Sequence, residues 1–524
     1  MNDQPAIGDV GEPMPLQRRG GLRRWIIRGV VAAGAMAVVS VVAVVGAVGY
    51  LYADTDTDTV GTLAFTNQVH IPPVDEGRLE NGRRVFDLDV APATHDFGTG
   101  RETDTWGVNG TYLGPTLRAG RGDAVTVNVT NSLDEATTTH WHGMHLPAIA
   151  DGGPHQPIEP GTTWSPEWDI DQPASTLWYH PHPHERTSEQ IYRGLAGMFL
   201  IDDPDNQPAG LPHDYGIDDI PVIVQDKSFN DDGSLDFGTP MMSPTGFLGD
   251  TVAINGTVDP HFEVTTERVR LRILNASNAR IYNLGLDDDR PFQLVGTDGG
   301  LLPAPVQLDR LQVSPGDRVE IVVEIAAGER LVLRSYESDL GAGAWNDRFT
   351  GGHDQFDLLE LRAADTITPS ESLPEQLGTE PTPVPSGVAT ERVINLTSSA
   401  TIDNRSMDMS RIDQAVTVGA SEIWTVANQD GIPHNFHIHD VQFHVLELDG
   451  APPPPALGGR HDTLYIPPQS SVRLLVEFSD YADADTPYMY HCHITTHEDS
   501  GMMGQFTVTD AGTKKTTADH DNHP

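Results

Sequence analysis

Hydrophobic and polar residues alternate along most of this chain in short runs. Examples are DAVTVNVTNS from Asp123, RVRLRILNAS from Arg268 and SVRLLVEFSD from Ser471. Each run has a period of two residues and lies between Gly, Pro, Asn and Asp, which is typical of strands bounded by turns. Helical periodicity is scarce. The pattern therefore predicts an all-β protein built from β-sandwiches.

The N-terminus has a different pattern. Residues 1–28 are rich in arginine, and residues 29–52 form an uncharged, largely apolar run. At about 1.5 Å per helical residue, that run is long enough for a membrane core of about 30 Å. We predict a cytoplasmic basic N-terminus and a transmembrane or signal-anchor helix, with the remainder exported. Arg23 and Arg24 also resemble a twin-arginine export signal, and secretion after cleavage stays open.

The length of 524 residues predicts about three domains. We place them at 54–205, 210–362 and 392–510, and we call these the first, second and third segments. Residues 363–391 contain a stretch rich in Pro, Ser, Thr and Glu and are predicted to be an extended linker. The polar tail 511–524 is predicted to be disordered.

The net charge and the cysteine content limit the range of possible functions. The net charge of −44 disfavours nucleic acid as a partner. It would attract metal cations or cationic substrates, or it simply keeps an exported protein soluble. The single cysteine, Cys492, rules out an internal disulfide and suggests that another group occupies the thiol.

Ten of the 22 histidines fall into four tight clusters, two in the first segment and two in the third. Side chains two residues apart share one face of a strand, and neighbours point to opposite faces. His491 and His493 can therefore face one site while Cys492 faces another. The clusters are His140 with His142, His180 with His182, His434 with His437 and His439, and His491 with Cys492, His493 and His497.

This parity sorts the clusters into two metal sites. His434, Cys492 and His497 form the His₂Cys set of a blue copper site, for which Met502 is a candidate axial ligand. The other imidazoles are too many for one copper ion and suit a group of three ions that could bind O₂. They are His140, His142, His180, His182, His437, His439, His491 and His493.

Four motifs resemble the multicopper oxidase family, which includes laccases, copper-efflux oxidases and bilirubin oxidases. The motifs are THWHGMHLP from Thr139, WYHPHPH from Trp178, PHNFHIHD from Pro433 and HCHITTHEDSGMM from His491. The resemblance implies three cupredoxin-like Greek-key sandwiches and four copper ions. The implied ligands are His434, Cys492, His497 and Met502 for type 1, His140 and His437 for type 2, and His142, His180, His182, His439, His491 and His493 for the type 3 pair.

Further residues gain implied roles from the same resemblance. Asp151 and Glu498 match positions assigned to proton donation, although Asp151 could simply cap a turn and Glu498 could simply hold a ligand loop. Asp408 and Met409 resemble residues beside the type 1 site of copper-efflux oxidases, although methionines also fill cores.

The chain also departs from the family pattern at two positions. Asn435 stands where the family usually has Pro, and Asp440 stands where it has Gly. Neither substitution removes a ligand. The methionine-rich insert of copper-efflux oxidases is absent.

These observations predict a copper enzyme that couples one-electron oxidation of phenols or aromatic amines to the reduction of O₂ to water. The electrons would pass from Cys492 to its two histidine neighbours. A metallo-oxidase of Cu(I), Fe(II) or Mn(II) is the close alternative. A copper-free cell-division scaffold and a copper nitrite reductase are less consistent with the intact ligand set.

Overall fold

The structure, a computed structural model, describes residue 1 and residues 21–53, 55–239, 243–378, 388 and 390–513. Most of the predicted basic N-terminus, much of the predicted linker and the tail beyond residue 513 lie outside the described residues. The described residues from 56 onward form one compact unit, and the described residues up to 55 form another.

The N-terminal unit contains one helix, α1, at Gly21–Ala53. A helix is therefore present where the sequence predicts one. In the described part of the chain, however, no helix has both the length and the apolar character required to cross a membrane. The predicted transmembrane span at 29–52 is not supported by this finding.

The first segment forms two sheets. Sheet I has the order β10-β7-β4-β3, with β5 on β4 and β9 on β7, and sheet II has the order β2-β6-β12-β11-β8. Phe86 from sheet I and Leu177 and Phe199 from sheet II share one buried core. The elements are β1 (Asn67–Gln68), β2 (Val74–Asp75), β3 (Arg78–Glu80), β4 (Arg83–His95), β5 (Thr103–Val108), β6 (Thr116–Gly120), β7 (Ala124–Asn131), β8 (His140–His142), β9 (Thr163–Trp164), β10 (Glu167–Asp169), β11 (Ser175–His180), α2 (Thr187–Arg193) and β12 (Gly197–Asp202).

The second segment also forms two sheets. Sheet III has the order β1-β16-β24-β23-β18-β21, and sheet IV has the order β15-β14-β13-β17-β22-β19-β20. Leu333 from sheet III and Leu271 from sheet IV lie in one core. The elements are β13 (Asp219–Lys227), β14 (Thr251–Ile254), β15 (Thr257–Val258), β16 (Pro260–Thr266), β17 (Arg268–Asn275), β18 (Tyr282–Leu286), β19 (Phe292–Thr297), β20 (Gly300–Leu308), β21 (Leu311–Val313), β22 (Arg318–Glu324), β23 (Arg330–Ser335), α3 (Gly343–Phe349) and β24 (Phe356–Thr368).

The third segment repeats the arrangement. Sheet V has the order β26-β25-β28-β32-β30, and sheet VI has the order β27-β34-β33-β29-β31. Trp424 and Phe436 connect the two sheets in one core. The elements are β25 (Thr390–Ser398), β26 (Thr401–Ile402), β27 (Gln414–Thr417), β28 (Ala420–Asn428), β29 (His434–Ile438), β30 (Phe443–Leu448), β31 (Thr463–Ile466), β32 (Ser471–Phe478), β33 (Asp483–His491), α4 (Thr495–Asp499) and β34 (Met503–Thr509).

The all-β prediction is confirmed, and the architecture is that of cupredoxin-like sandwiches. The three runs quoted above correspond to β7, β17 and β32. The ends of the predicted linker differ from expectation. Thr368 still pairs with β16, and Thr390 already pairs with β28, so ladder hydrogen bonds hold residues that composition alone assigns to a linker.

Strand pairing determines where the histidine clusters lie. In sheet II, His180 of β11 is directly opposite His140 of β8. In sheet VI, His437 of β29 is directly opposite His491 of β33. Each of these two sheets therefore brings its two clusters together through antiparallel pairing.

Candidate metal centres

The third segment brings together the three residues of the predicted blue copper site. The Nδ1 atoms of His434 and His497 lie 3.1 Å apart, and the Cys492 Sγ atom lies 3.7 Å from each of them. His434 begins β29, Cys492 follows β33 directly, and the short helix α4 returns His497 to the thiol. Met502 is fully buried, and its carbonyl oxygen accepts a hydrogen bond from the Cys492 N–H group.

The hydrogen bonds of this site leave two bare ring nitrogens beside the thiol. The Nε2–H group of His497 donates to the carbonyl oxygen of Pro244, at 3.0 Å. Because a carbonyl oxygen only accepts, neutral His497 carries its proton on Nε2 and has a free lone pair on Nδ1. His434 Nε2 lies 3.3 Å from Asp430 Oδ2, which favours the same tautomer. This donor set fits a metal ion.

The protonation states also fit a metal site. Burial raises the pKa of Cys492 to about 12, so the thiol of the metal-free protein keeps its proton at neutral pH. Burial, followed by the neighbouring His434, lowers the pKa of His497 to about 3. A metal ion bound here would therefore displace the thiol proton and find neutral imidazoles.

Eight histidines from the first and third segments converge in a second region. His142 Nδ1 lies 3.3 Å from His180 Nε2, which lies 3.5 Å from His493 Nε2. In a second trio, His491 Nε2 lies 3.2 Å from His182 Nε2 and 3.3 Å from His439 Nε2. The remaining two, His140 and His437, join His142 in a third group of potential ligands.

These separations suit metal ligands. Two nitrogens that each bind one ion at about 2 Å in tetrahedral geometry lie about 3.3 Å apart. Burial, reinforced by neighbouring histidines, lowers the pKa of His439 to about 4 and of His493 to about 3; for His439 the carboxylate of Asp151 opposes this shift. These two imidazoles are therefore neutral at physiological pH, which is the form that binds a metal.

The outer nitrogens of the cluster are held by acceptors. His140, His180, His437 and His491 direct Nδ1 at the carbonyl oxygens of Asp151, Pro181, Asp462 and Cys492, at 2.9–3.1 Å. Each therefore has its proton on Nδ1 and a bare Nε2. Among the described residues, Nε2 of His140 and Nε2 of His437 are buried without a hydrogen-bond partner. A metal ion bound between these nitrogens would satisfy them.

The structure places both predicted proton donors against outer nitrogens of the cluster. Asp151 Oδ2 lies 2.8 Å from His439 Nδ1. Glu498 Oε2 lies 3.3 Å from His491 Nδ1, and Glu498 Oε1 lies 3.4 Å from His182 Nδ1. Burial, reinforced by Asp499, raises the pKa of Glu498 well above its usual range.

The two departures from the family pattern have structural explanations. Asp440 has φ +67°, a conformation that suits Gly and that Asp tolerates better than most residues. Its carboxylate contacts His145 Nδ1 at 2.7 Å. The Asn435 amide donates to the Pro315 carbonyl oxygen at 2.8 Å, and its oxygen accepts the His493 N–H group. A proline could make neither hydrogen bond.

The predicted substrate residues lie near the third-segment site, on a stretch that packs against its last turn. Met407 N–H donates to the Gly501 carbonyl oxygen at 2.9 Å. Asp408 is exposed, and Met409 is half-buried. Their role stays a prediction.

Sequence reasoning missed two residues that contact the histidine cluster and a third residue that binds one of them. The Trp178 ring stacks on His180 with centroids 4.1 Å apart. The Asp462 carboxylate contacts His142, and Arg318 binds Asp462. Trp178 is the first residue of the WYHPHPH motif, so the sequence could have identified it. No local pattern marks Asp462 or Arg318.

The sheets and the converging imidazoles define a cupredoxin-like protein with histidine-rich candidate metal centres. Three family models, each described as multicopper oxidase, match residues 89–206, 224–336 and 379–512. Multicopper oxidase mco of Staphylococcus haemolyticus is 34% identical over 450 residues, which cover 84% of this chain and 93% of that protein. The chain belongs to the multicopper oxidase family, and these domains imply copper binding.

Other similar proteins are named as a cell division protein, a laccase-like oxidase and a metallo-oxidase. Cell division protein FtsP of Xenorhabdus nematophila is 37% identical over 471 residues, which cover 86% of this chain and 96% of that protein. A laccase-like multi-copper oxidase CueO from Ochrobactrum sp. has a TM-score of 0.76 and 35% identity, over 84% of this chain and 100% of its own. A metallo-oxidase from Campylobacter jejuni has a TM-score of 0.73 and 27% identity, and the match covers 87% of this chain and 98% of that protein.

Proposed function

We propose that this protein is a laccase-like oxidase that couples one-electron oxidation of phenols or aromatic amines to four-electron reduction of O₂ to water. One observation carries the proposal. The Cys492 thiol faces His434 and His497, whereas its neighbours His491 and His493 face the two trios of the histidine cluster. One strand end therefore contacts both candidate centres.

The residues that would hold copper are those of the converging sets. Bound copper would supply the one-electron redox chemistry and the O₂ chemistry that side chains lack. We assign one ion to His434, Cys492, His497 and Met502, one to His140 and His437, and a pair to His142, His180, His182, His439, His491 and His493.

Electron transfer begins in this proposal at the edge of His434. Asp430, hydrogen-bonded to His434 Nε2, has a side chain that is 26% exposed, whereas His434 itself is fully buried. A reductant that hydrogen-bonds to Asp430 would lie next to a ligand of the thiol site. With copper bound, Cys492 would give the electron a direct route to His491 and His493, because the peptide chain joins the three residues.

Protons must accompany the electrons, four for each O₂ reduced to two waters. Glu498 contacts ligands of one trio through both of its oxygens. Asp151 contacts His439 and, through its second oxygen at 3.4 Å, His140. We assign proton delivery to Glu498 and Asp151 on this geometry. Glu498 holds a proton because burial raises its pKa. Burial alone would also raise the pKa of Asp151, but His439 and His140 outweigh it and lower that pKa, so Asp151 passes protons on as a carboxylate.

A metallo-oxidase of Cu(I), Fe(II) or Mn(II) is the second candidate. It is favoured by the position of Met407 and Met409 beside the turn that ends in Met502, since thioethers suit cuprous ion. The Campylobacter jejuni neighbour is also named a metallo-oxidase. A copper-free scaffold, suggested by relatives named cell division protein FtsP, is disfavoured because every predicted ligand position holds a competent donor.

The net charge and the N-terminus bear on location and partners. We propose that residues 54 onward act outside the cytoplasm, exported or anchored through the N-terminal helix. The strongly acidic composition disfavours nucleic acid as a partner. The partners are therefore O₂ and a small reductant.

A parallel substrate panel tests the proposal. Copper-loaded protein is given a phenolic dye, an aromatic amine, cuprous ion and ferrous ion in separate reactions, and oxygen uptake is recorded. We expect dye and amine turnover comparable with or above that of the metal ions. Dye turnover that is negligible beside the cuprous rate would favour the metallo-oxidase instead. In that case Met409→Leu should raise the KM for cuprous ion and leave dye oxidation unchanged.

A further inference from the structure

A buried carboxylate of the third segment contacts the histidine cluster on two sides. Asp462 Oδ1 accepts a hydrogen bond from His142 Nε2 at 2.9 Å, and the Asp462 carbonyl oxygen accepts one from His437 Nδ1 at 2.9 Å. Thr463 Oγ1 lies 3.1 Å from the same His142 nitrogen. One residue thus contacts a ligand from the first segment and a ligand from the third.

The second segment, which supplies no predicted ligand, holds this carboxylate. Arg318, the first residue of β22, donates to both Asp462 oxygens at 2.7 and 2.6 Å. Its other N–H groups donate to the carbonyl oxygens of Thr176, Gly316 and Asp298 at 3.0, 3.0 and 3.3 Å. The guanidinium is fully buried, and all five of its donors have acceptors, so its position is fixed in every direction.

The backbone of the first segment is shaped around this pair. Gly143, directly after His142, has φ +84°, and a Cβ atom there would lie 2.5 Å from Asp462 Oδ2 and 2.6 Å from Arg318 Nη2. Asp298 of the second segment also accepts the N–H groups of Asp462 and Thr463, at 3.2 and 3.3 Å. The Asp462 carboxylate is thus held against the turn that follows His142.

We propose that Arg318 and Asp462 form a positioning pair through which the second segment controls copper binding in the histidine cluster. With Nε2–H engaged by the carboxylate, His142 presents a bare Nδ1 to His180 and His493. With Nδ1–H engaged by the carbonyl oxygen, His437 presents a bare Nε2. The inference rests on the proposed function only in taking copper as the metal of the cluster.

The variant Asp462→Asn tests the pair, since it keeps the shape of the side chain but loses the charge that binds Arg318. Such outer partners typically contribute about 10- to 100-fold to metal affinity. We expect the copper affinity of the cluster, measured by competition with a chelator, to fall by that factor. The thiolate–copper absorption of the third-segment site should persist, because no residue of that site contacts Asp462.

The matched control is Asp219→Asn. Asp219 is equally buried and binds Arg272 through both oxygens at 2.7 and 2.8 Å, but none of its recorded partners in the described part of the chain is a predicted ligand. We expect it to lower the unfolding temperature without changing copper affinity. Wild-type copper affinity in Asp462→Asn, or an equal loss in both variants, would overturn the proposal.

A third variant is needed in case Asp462→Asn does not fold. If Asp462→Asn is not recovered folded, Arg318→Lys keeps the positive charge and removes the two-pronged contact, and unchanged cluster affinity in that variant would equally overturn the proposal. Absence of copper from the wild-type protein would instead contradict the proposed function.

Discussion

The two candidate centres are built in different ways. The thiol site comes from one segment: His434 and His497 are 63 residues apart and meet within sheet VI and the loop that follows it. The cluster joins residues much further apart, such as His182 and His491 at a separation of 309 residues. All the ligands of the first site come from one sandwich, and the second segment adds only the Pro244 acceptor for His497. The second site requires the first and third segments to pack correctly.

The surroundings of the two centres differ as well. The thiol site has a partly exposed carboxylate, Asp430, at its edge. The carboxylates of the cluster are almost completely buried: Asp151 is 2% exposed, Glu498 1% and Asp462 0%. We infer a division of labour in which the first centre meets the reductant and the second works in a closed, acid-lined interior.

The largest expected effect comes from removing the side chain that connects the two centres. Cys492→Ser removes the thiolate that connects them, so we expect loss of the blue colour and of nearly all turnover. The cluster histidines do not depend on that side chain, so cluster copper should remain. Metal analysis and steady-state oxygen uptake check this, and substantial turnover in the variant would contradict the electron route.

A smaller effect is expected from the acid of the cluster. Glu498→Gln keeps the size of the side chain but cannot deliver a proton, so kcat should fall by about 10²- to 10⁴-fold. Copper content should not change. Glu422→Gln is the control, because Glu422 is also buried but binds Arg392 through both oxygens, so the change should affect stability more than turnover. Near-normal kcat in Glu498→Gln would rule out its proton role.

The smallest effect concerns the packing of the first segment on the third. Burial alone would lower the pKa of His145, but Asp440 and Asp480 outweigh it and raise that pKa to about 9. The neighbouring Tyr481 ring completes its surroundings. Because the folded-state pKa is raised, the stabilisation is complete below about pH 6.5 and is lost as the pH rises through about 9.

His145→Gln should therefore lower the free energy of unfolding by about 1–3 kcal/mol near neutral pH, and less at alkaline pH. Denaturant unfolding across this pH range measures it. His444→Gln is the control, since burial, with Arg460, lowers the pKa of His444 and no alkaline dependence should follow. An equal loss at pH 7 and pH 10 in His145→Gln would show that charge is not involved.

The sequence was sufficient for those parts of the site that depend on local geometry. Strand parity separates Cys492 from His491 and His493, and the alternating runs mark the strands. The pair of Arg318 and Asp462 could not be predicted, because the two residues are 144 positions apart in the sequence. A single Arg in a strand also forms no recognisable sequence pattern. The hydrogen bonds of Asn435 to Pro315 likewise depend on how the segments pack.

The predicted membrane span has a different outcome. An apolar run favours a helix, and α1 forms at Gly21–Ala53. Among the described residues, no helix has the length and apolar character required to cross a membrane, so the span at 29–52 stays a prediction.

Copper analysis combined with visible absorption tests the central claim most directly. After copper loading and removal of loosely bound metal, the wild-type chain should hold four copper ions and show the thiolate–copper band. In Cys492→Ser the band should vanish while the cluster ions remain. A colourless wild-type protein that retains no copper would contradict the account.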